Sequence, residues 1–455
     1  MTTPHHSPLQ SDSHFDVVVV GAGLGGLSAA LHLQQHGLRV ALVEQENRVG
    51  GLCGTFTYQG REYVIACNDF GTAMPKWLAE VGVNVSFSRH STHIYHEGQR
   101  FSLPPDLRSI SQLLPQALPL LRYIRTQKAA RTSSYAAYPS LAAVVDRAVG
   151  THKLGHLLKL PAYLMGVSPE HLRPDTLDDE AHFGYGYTQP TTPDGGPQAM
   201  VDAMADAIVA RQGKLLLNTR YQGHTRANNG HKRVHTSHGE LDCQHLVLAI
   251  PDESQYPPAA PRGLPLAMYL LTVDQHYVYP AGVHTSVHYP SGISDWFGAL
   301  EEGRLPERFG FHVFKSDLTP RDGCYTMNLY FYLPQGQTTP APDVLQNAER
   351  YIFSRLERML PGIAAALRER HFISPDQFTA LHRMSSCVLP VITSVGFNKP
   401  ANYDAAQDLY RAGAAFYPPG DHGSAAVLSG RIVAEQILAK HPANMALPTA
   451  TEATL

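Results

Sequence analysis

The sequence predicts an α/β protein, in which a parallel sheet binds a dinucleotide and a second, mixed α+β region binds the substrate. Three observations predict it. Residues 17–20, four valines, run into Gly21, Gly23 and Gly26 and then into a helical pattern. An acid, Glu44, closes the next apolar strand. Further strand and glycine-turn signals return far downstream, at about 195–251 and 413–430, so the sheet is assembled from separated stretches.

Each part of the first stretch has a physical reason. Four consecutive β-branched residues suit a strand buried on both faces. The GxGxxG spacing serves a tight turn at Gly21, close approach of a pyrophosphate at Gly23 and helix–strand packing at Gly26, with Leu24 and Gly25 inside the turn. The helix opening there aims free amides and its positive end at the phosphates, and Gly37 stops it. A strand over 38–43 then delivers Glu44, with Gln45 beside it, where the adenosine ribose needs a carboxylate.

Composition bounds the rest. The chain has 455 residues, enough for two interleaved domains, with 43 % hydrophobic and 16 % charged residues and a formal charge of −3. That balance gives no reason to expect a nucleic-acid partner. Five scattered cysteines without a CxxC pair point to a reducing compartment, hence a cytoplasmic location. The start lacks a secretory pattern, no apolar run reaches the ~20 residues of a membrane span, and residues 1–13 and 442–455 read as disordered tails.

After Glu44 come Arg48, Gly50 and Gly51, an ExxxRxGG string. Here the chain resembles the phytoene desaturase and carotenoid isomerase-like branch of the flavin amine oxidase superfamily. The resemblance implies a Rossmann-type FAD-binding domain, with Arg48 and the glycine pair along the FAD diphosphate and ribityl chain. The superfamily often has a second arginine where this chain has Leu52, a departure that favours the desaturase branch.

Along the chain, a hairpin is expected over 56–64, then a loop whose Asp69 and Gly71 match the family step beside the flavin, then a helix from about Pro75. Strand-like segments fill 83–103 and helices fill 106–150. There, prolines and apolar residues alternate with Arg122, Arg125, Lys128 and Arg131; a membrane-touching entrance and a plain helical cap with a solvated basic side are both open. Gly166, Pro169 and Leu172 match an architectural family motif, with Ser168 capping a helix begun by Pro169. Gly195 and Gly196 begin a helix with Met200, Ala203, Met204 and Ala207 on one face; a strand at 214–217 follows, and Thr219, Arg220 or Tyr221 is the family's adenine-contacting position. Residues 246–250 form another buried strand, and Ala249 and Pro251 match the step past the diphosphate.

Residues 257–373 alternate as an antiparallel sheet rich in aromatics, including Tyr269, Tyr277, Tyr330, Phe331 and Tyr332, which either line a tunnel or pack a core. A helix is expected over 344–367. Near the end, Gly413, Pro419, Gly420, Gly423, Ser429 and Gly430 match the last FAD segment of the desaturase branch, and a helix from about Ser424 would point its positive end at the flavin. Ala414 stands where many superfamily members carry an acid. The implied domains are 14–75, 190–255 and 385–440 for FAD, and 76–189 and 256–384 for substrate.

Flavin chemistry needs orientation more than a nucleophile. Asp421 and His422, in the loop expected over the flavin, are the candidate catalytic pair: one of them takes or gives a proton, or the two merely cap the following helix. His152 with His156, and His231, His235 and His238, form no converging metal set, so no metal is expected. Cys53 is read as a small buried residue rather than a flavin tether. These readings converge on an FAD-dependent desaturase forming a C=C bond in an elongated apolar, polyene-type substrate, free or carrier-tethered, with peripheral membrane contact left open. The alternatives are a flavin amine oxidase, with Phe416 and Tyr417 as its aromatic pair, a redox-neutral double-bond isomerase on reduced FAD, and a prenyl-protein escort of the same fold.

Overall fold

The computed structural model describes residues 13–150, 153–178, 189–227, 230–250, 263–383, 394–420 and 423–440. Asp421, His422, Pro251 and nearly all of the expected tails lie outside them; Ser13 is within them, and its carbonyl accepts from Asp242 N at 2.7 Å.

The valine strand, His14–Val20, is central to an eight-stranded sheet. It runs parallel to Gly239–Leu248 on one side and to Val40–Val43 on the other, and Val40–Val43 runs parallel to Lys214–Leu216. The end of Gly239–Leu248 pairs in parallel with Leu409–Arg411, Val247 opposite Tyr410. Both faces are covered, which is why the strand is apolar without alternation. Val17 and Val19 face a core shared with helices Leu24–Gln35, Gly196–Ala210 and Gly423–Lys440. Val18 and Val20 face a second core with Val234, Leu241 and Leu246, on which the hairpin Tyr221–Arg226/Lys232–Thr236 is built. The strands of these four parallel pairings deliver their ends, and the loops after them, to one edge, where open α/β sheets place ligands.

The second sheet has seven strands in the order Leu367–Ile373, Leu266–Asp274, Cys324–Tyr332, Phe311–Lys315, Val283–His288, Ser91–His96, Gln99–Leu103. It is antiparallel except where Val283–His288 meets Ser91–His96. Along Leu266–Asp274 the pleat divides the side chains: Leu266, Met268 and Leu270 enter one core, Ala267, Tyr269 and Leu271 another. Tyr269, Tyr330, Phe331 and Tyr332 are buried in these cores, so packing is what the aromatic strands serve.

Two expected helices differ. The helix expected over 344–367 ends at Met359: Pro361 and Gly362 (φ +86°) break it, a single turn Ile363–Ala366 follows, and Leu367 already begins a strand. Pro169 begins no helix. Residues 169–171 form a turn, and Ser168 Oγ meets His171 Nδ1 at 2.9 Å instead of capping.

The hairpin Thr55–Tyr58/Arg61–Val64 ties the two sheets together. It follows the glycine pair in sequence but docks on the second sheet: Thr326 Oγ1 donates to Glu62 O (2.9 Å), Asn328 Nδ2 to Val64 O (2.8 Å), and Tyr63 shares a hydrogen bond with Thr272 (2.8 Å). Residues 52–67 thereby become a wall between the dinucleotide edge and the second sheet.

Candidate active site

Between the sheets lies a cavity of about 760 Å³, within the range of small-molecule sites. Its nucleotide side is made of backbone. Gly21 has φ +99° and donates to Val43 O at 2.7 Å. A Cβ there would lie 2.5 Å from Ala249 O, one on Gly26 would lie 1.9 Å from Gly21 O, and one on Gly25 would lie 2.9 Å from Gly413 N. These glycines let chain close on chain. Gly23 and Gly413 differ: both line the cavity, and a Cβ on either would meet nothing within 4 Å. The space they leave is a cradle. The 12-residue helix Leu24–Gln35 opens at Gly23 with neither a side-chain cap nor an acid in its first turn, so its amides and positive end are available to phosphates.

The ExxxRxGG string is pinned to this turn. Gly50 N donates to Ala22 O (2.7 Å). Glu44 Oε2 accepts from Ala22 N (2.7 Å) and Oε1 from Glu46 N (3.0 Å), which fixes the carboxylate at the cavity with lone pairs to spare for hydroxyls. Thr219 N donates to Glu44 O (2.8 Å) and places Thr219, Arg220 and Tyr221 alongside. Arg48 donates to Val49 O and Gly51 O at 3.2–3.3 Å; burial lowers its pKa from the usual arginine value. A carboxylate for ribose, a cation for diphosphate and an empty glycine cradle together fit FAD.

Sixteen of the expected cofactor residues line the cavity: Gly21, Gly23, Leu24, Gly25, Glu44, Gln45, Arg48, Gly50, Gly51, Leu52, Asp69, Arg220, Tyr221, Ala249, Gly413 and Gly423. Four do not. Gly26 lies beneath the turn as a packing residue. Gly71 O accepts from Met74 N (3.1 Å) in a structural turn. Gly420 O is taken by the buried Lys399 ammonium, which also donates to Ala414 O. Ser424 is fully buried in the helix. Ser429 and Gly430 have packing roles: Ser429 Oγ accepts from Gly413 N (3.1 Å), and a Cβ on Gly430 would lie 2.1 Å from Gly25 O.

Another part of the lining is made of apolar side chains. Leu52, Phe56, Ala66 and Phe378 belong to one apolar cluster and line the cavity together with Leu381 and Phe416. His382 sits among them, edge-on to Phe56 at 4.6 Å and to Phe378 at 4.7 Å. Burial, and then the nearby Arg48 charge, pull its pKa down to about 4, so the imidazole is neutral. Cys53 also lines the cavity, its thiol pushed well up by burial. Tyr417, the expected partner of Phe416, is exposed and does not line the cavity.

Sequence reasoning missed Phe378, Leu381 and His382. They ride on helix Pro375–His382, whose start was legible: Ser374 and Gln377 form a capping box with Pro375 at the first turn. It also missed Lys399, for which no local signal exists.

The profile of the family described as flavin containing amine oxidoreductase matches residues 24–254. Among curated proteins, phytoene desaturase (lycopene-forming) of Pantoea ananas is 23 % identical over 492 residues, covering 92 % of this chain and 99 % of that protein. All-trans-retinol 13,14-reductase of Homo sapiens is 46 % identical over 54 residues, 12 % of this chain and 9 % of that one. Among solved structures, cyclohexylamine oxidase from Brevibacterium oxydans IH-35A superimposes with a TM-score of 0.64 at 15 % identity, covering 94 % and 99 % of the two chains. Wild-type putrescine oxidase bound to putrescine gives 0.63 at 16 % identity, with the same coverage.

Proposed function

The chain belongs to the flavin containing amine oxidoreductase family and is an FAD-dependent oxidoreductase; within that family we propose that it is a desaturase acting on an elongated, apolar, polyene-type substrate. The observation that carries the reading is the apolar part of the cavity lining, Leu52, Phe56, Phe378, Leu381 and Phe416, with a neutral His382 against Phe56 and Phe378. Support also comes from the full-length similarity to a phytoene desaturase.

Bound FAD supplies a hydride acceptor for a C–H bond. The chain's own residues do the rest. The glycine turn and helix N-terminus hold the diphosphate, Glu44 the ribose and Arg48 the phosphate charge. Phe56, Phe378 and Phe416 exclude water and align an apolar chain by contact. The proton lost from the adjacent carbon goes to a side chain; Asp421 and His422, which precede the cavity-lining Gly423 in sequence, are the proposed acceptors. Oxygen, a quinone or a separate carrier then takes the electrons.

The test is anaerobic. Partly saturated polyenes, lipids and amines are mixed with the flavin-loaded protein, and visible absorbance is followed. Bleaching by a polyene or lipid, with a new double bond in the product, is expected. Bleaching by amines alone would overturn the reading.

A further inference from the structure

Residues 107–124 concentrate what a globular surface normally scatters. Six of the twelve exposed large apolar side chains among the described residues fall here: Leu107, Ile110, Leu114, Leu118, Leu121 and Ile124, between 47 % and 86 % exposed. They lie on helices Leu107–Leu113 and Ala117–Thr132 and the single turn Leu114–Gln116 between them. Isolated exposed leucines need no explanation, whereas a run of six marks a binding face.

The exposed charges carried by residues 107–128 are all of one sign; Arg131, at the end of the helix, is paired with Asp178. Arg108, Arg122, Arg125 and Lys128 are exposed among the apolar side chains, and no Asp or Glu occurs between 107 and 132. The acid just before, Asp106, is taken by Arg100 and by the Ser109 amide. At 3.6 residues per turn, Leu118, Leu121, Arg122, Ile124, Arg125 and Lys128 share an arc opposite Tyr123 and Ala130. Those two are buried in a cluster with Leu141, Val144 and Val145, so the helix is anchored from behind and presents its mixed face outward.

We infer that this face seats the protein on an anionic lipid bilayer. Leucines and isoleucines sink to the headgroup–acyl boundary, while the arginine and lysine stems lie along them and carry their charges to the phosphates. A second copy of the chain is the poorer occupant: two-fold pairing would set this acid-free basic face against itself. Seating is peripheral, since no described helix is long and apolar enough to cross a membrane. The docking stands on exposure and charge and does not depend on the substrate reading. Leu113, on the first of these helices, packs against the same apolar core to which Leu52, Phe56, Ala66 and Phe378 of the cavity lining belong.

The test floats the flavin-loaded full chain with phosphatidylcholine vesicles and with phosphatidylcholine vesicles containing phosphatidylglycerol. The wild-type protein is expected to float with the anionic vesicles and to be released by salt. Leu118→Ser with Leu121→Ser should lose tenfold or more in partitioning, and Arg122→Gln or Arg125→Gln roughly fivefold each. Flavin absorbance and thermal melting of the variants should match wild type, which separates lost docking from lost folding. The inference is overturned if wild type stays in the aqueous fraction, if the leucine variant floats as well as wild type, or if both vesicle types bind equally. A dimer in sedimentation that the leucine variant dissociates would also overturn it, assigning the face to a second copy.

Discussion

On the nucleotide side of the cavity a methyl group on Gly26 would sit 1.9 Å from the Gly21 carbonyl, so the wall there is backbone against backbone. On the apolar side the walls are whole rings: Phe56, Phe378 and His382 meet edge to face at 4.6–4.7 Å, brought together from positions over 300 residues apart. Around its glycines the first wall answers to spacing, with few side chains, Glu44 and Arg48 among them, to exchange. The second is a set of exchangeable side chains whose position depends on the hairpin and helix that carry them.

The hardest break is Gly26→Ala. Overpacking of this kind costs about 3 kcal/mol, so melting temperature and flavin content should both fall. Gly23→Ala is its contrast, since the new methyl meets only cavity. The flavin-free protein should keep its stability to within ~0.5 kcal/mol while flavin content drops; equal loss of stability in the two variants would erase the distinction between packing glycine and cradle glycine.

Acid should break the second sheet before the first. His93, His288 and His312 are pulled to about 4 and His284 to about 3, chiefly by burial, and all four stand on second-sheet strands. Between pH 6.5 and those values the unfolded chain binds protons that the folded one refuses, so stability falls as pH falls through that window. For the fully buried His284 the loss reaches roughly 2 kcal/mol at pH 5. The chain has two tryptophans, and Trp296 belongs to a second-sheet core. Its fluorescence in a Trp77→Phe background should report unfolding near pH 5 that replacing His284 with Phe shifts downward.

Glu44→Gln sharpens the nucleotide side. Weakening a charge-assisted acceptor costs about 1.5 kcal/mol, or roughly tenfold in FAD affinity by titration, and because glutamine keeps one acceptor oxygen for the Ala22 and Glu46 amides, the flavin-free protein should lose about 1 kcal/mol. The smallest effect belongs to His382→Phe. Flavin content should stay at the wild-type level and stability within about 1 kcal/mol, while relative turnover among apolar substrates shifts. A loss of flavin instead would show that the two walls are coupled.

Most of the nucleotide side was legible in the sequence because it obeys local rules. A strand that must be apolar on both faces, three glycines at fixed offsets and an acid at the next strand end lie within thirty-one residues (14–44) and need no distant partner to be recognised. What the chain order does not carry is contact: Gly71 and Gly420 read as cofactor glycines, and in the fold their carbonyls accept from Met74 and Lys399 and neither lines the cavity. The aromatic strands read equally well as tunnel or core, because period two says which residues share a face and not what covers it.

Order and spacing along the chain were thus enough to specify the fold class, the FAD cradle and the family. Folding in three dimensions chose which side chains complete the cavity, turned His382 into a neutral group, and left the apolar and basic face of residues 107–124 exposed among the described residues. The physical reason is that backbone conformation and motif spacing are local, whereas burial, and every pKa and contact that follows from it, depends on chain segments that meet only after folding.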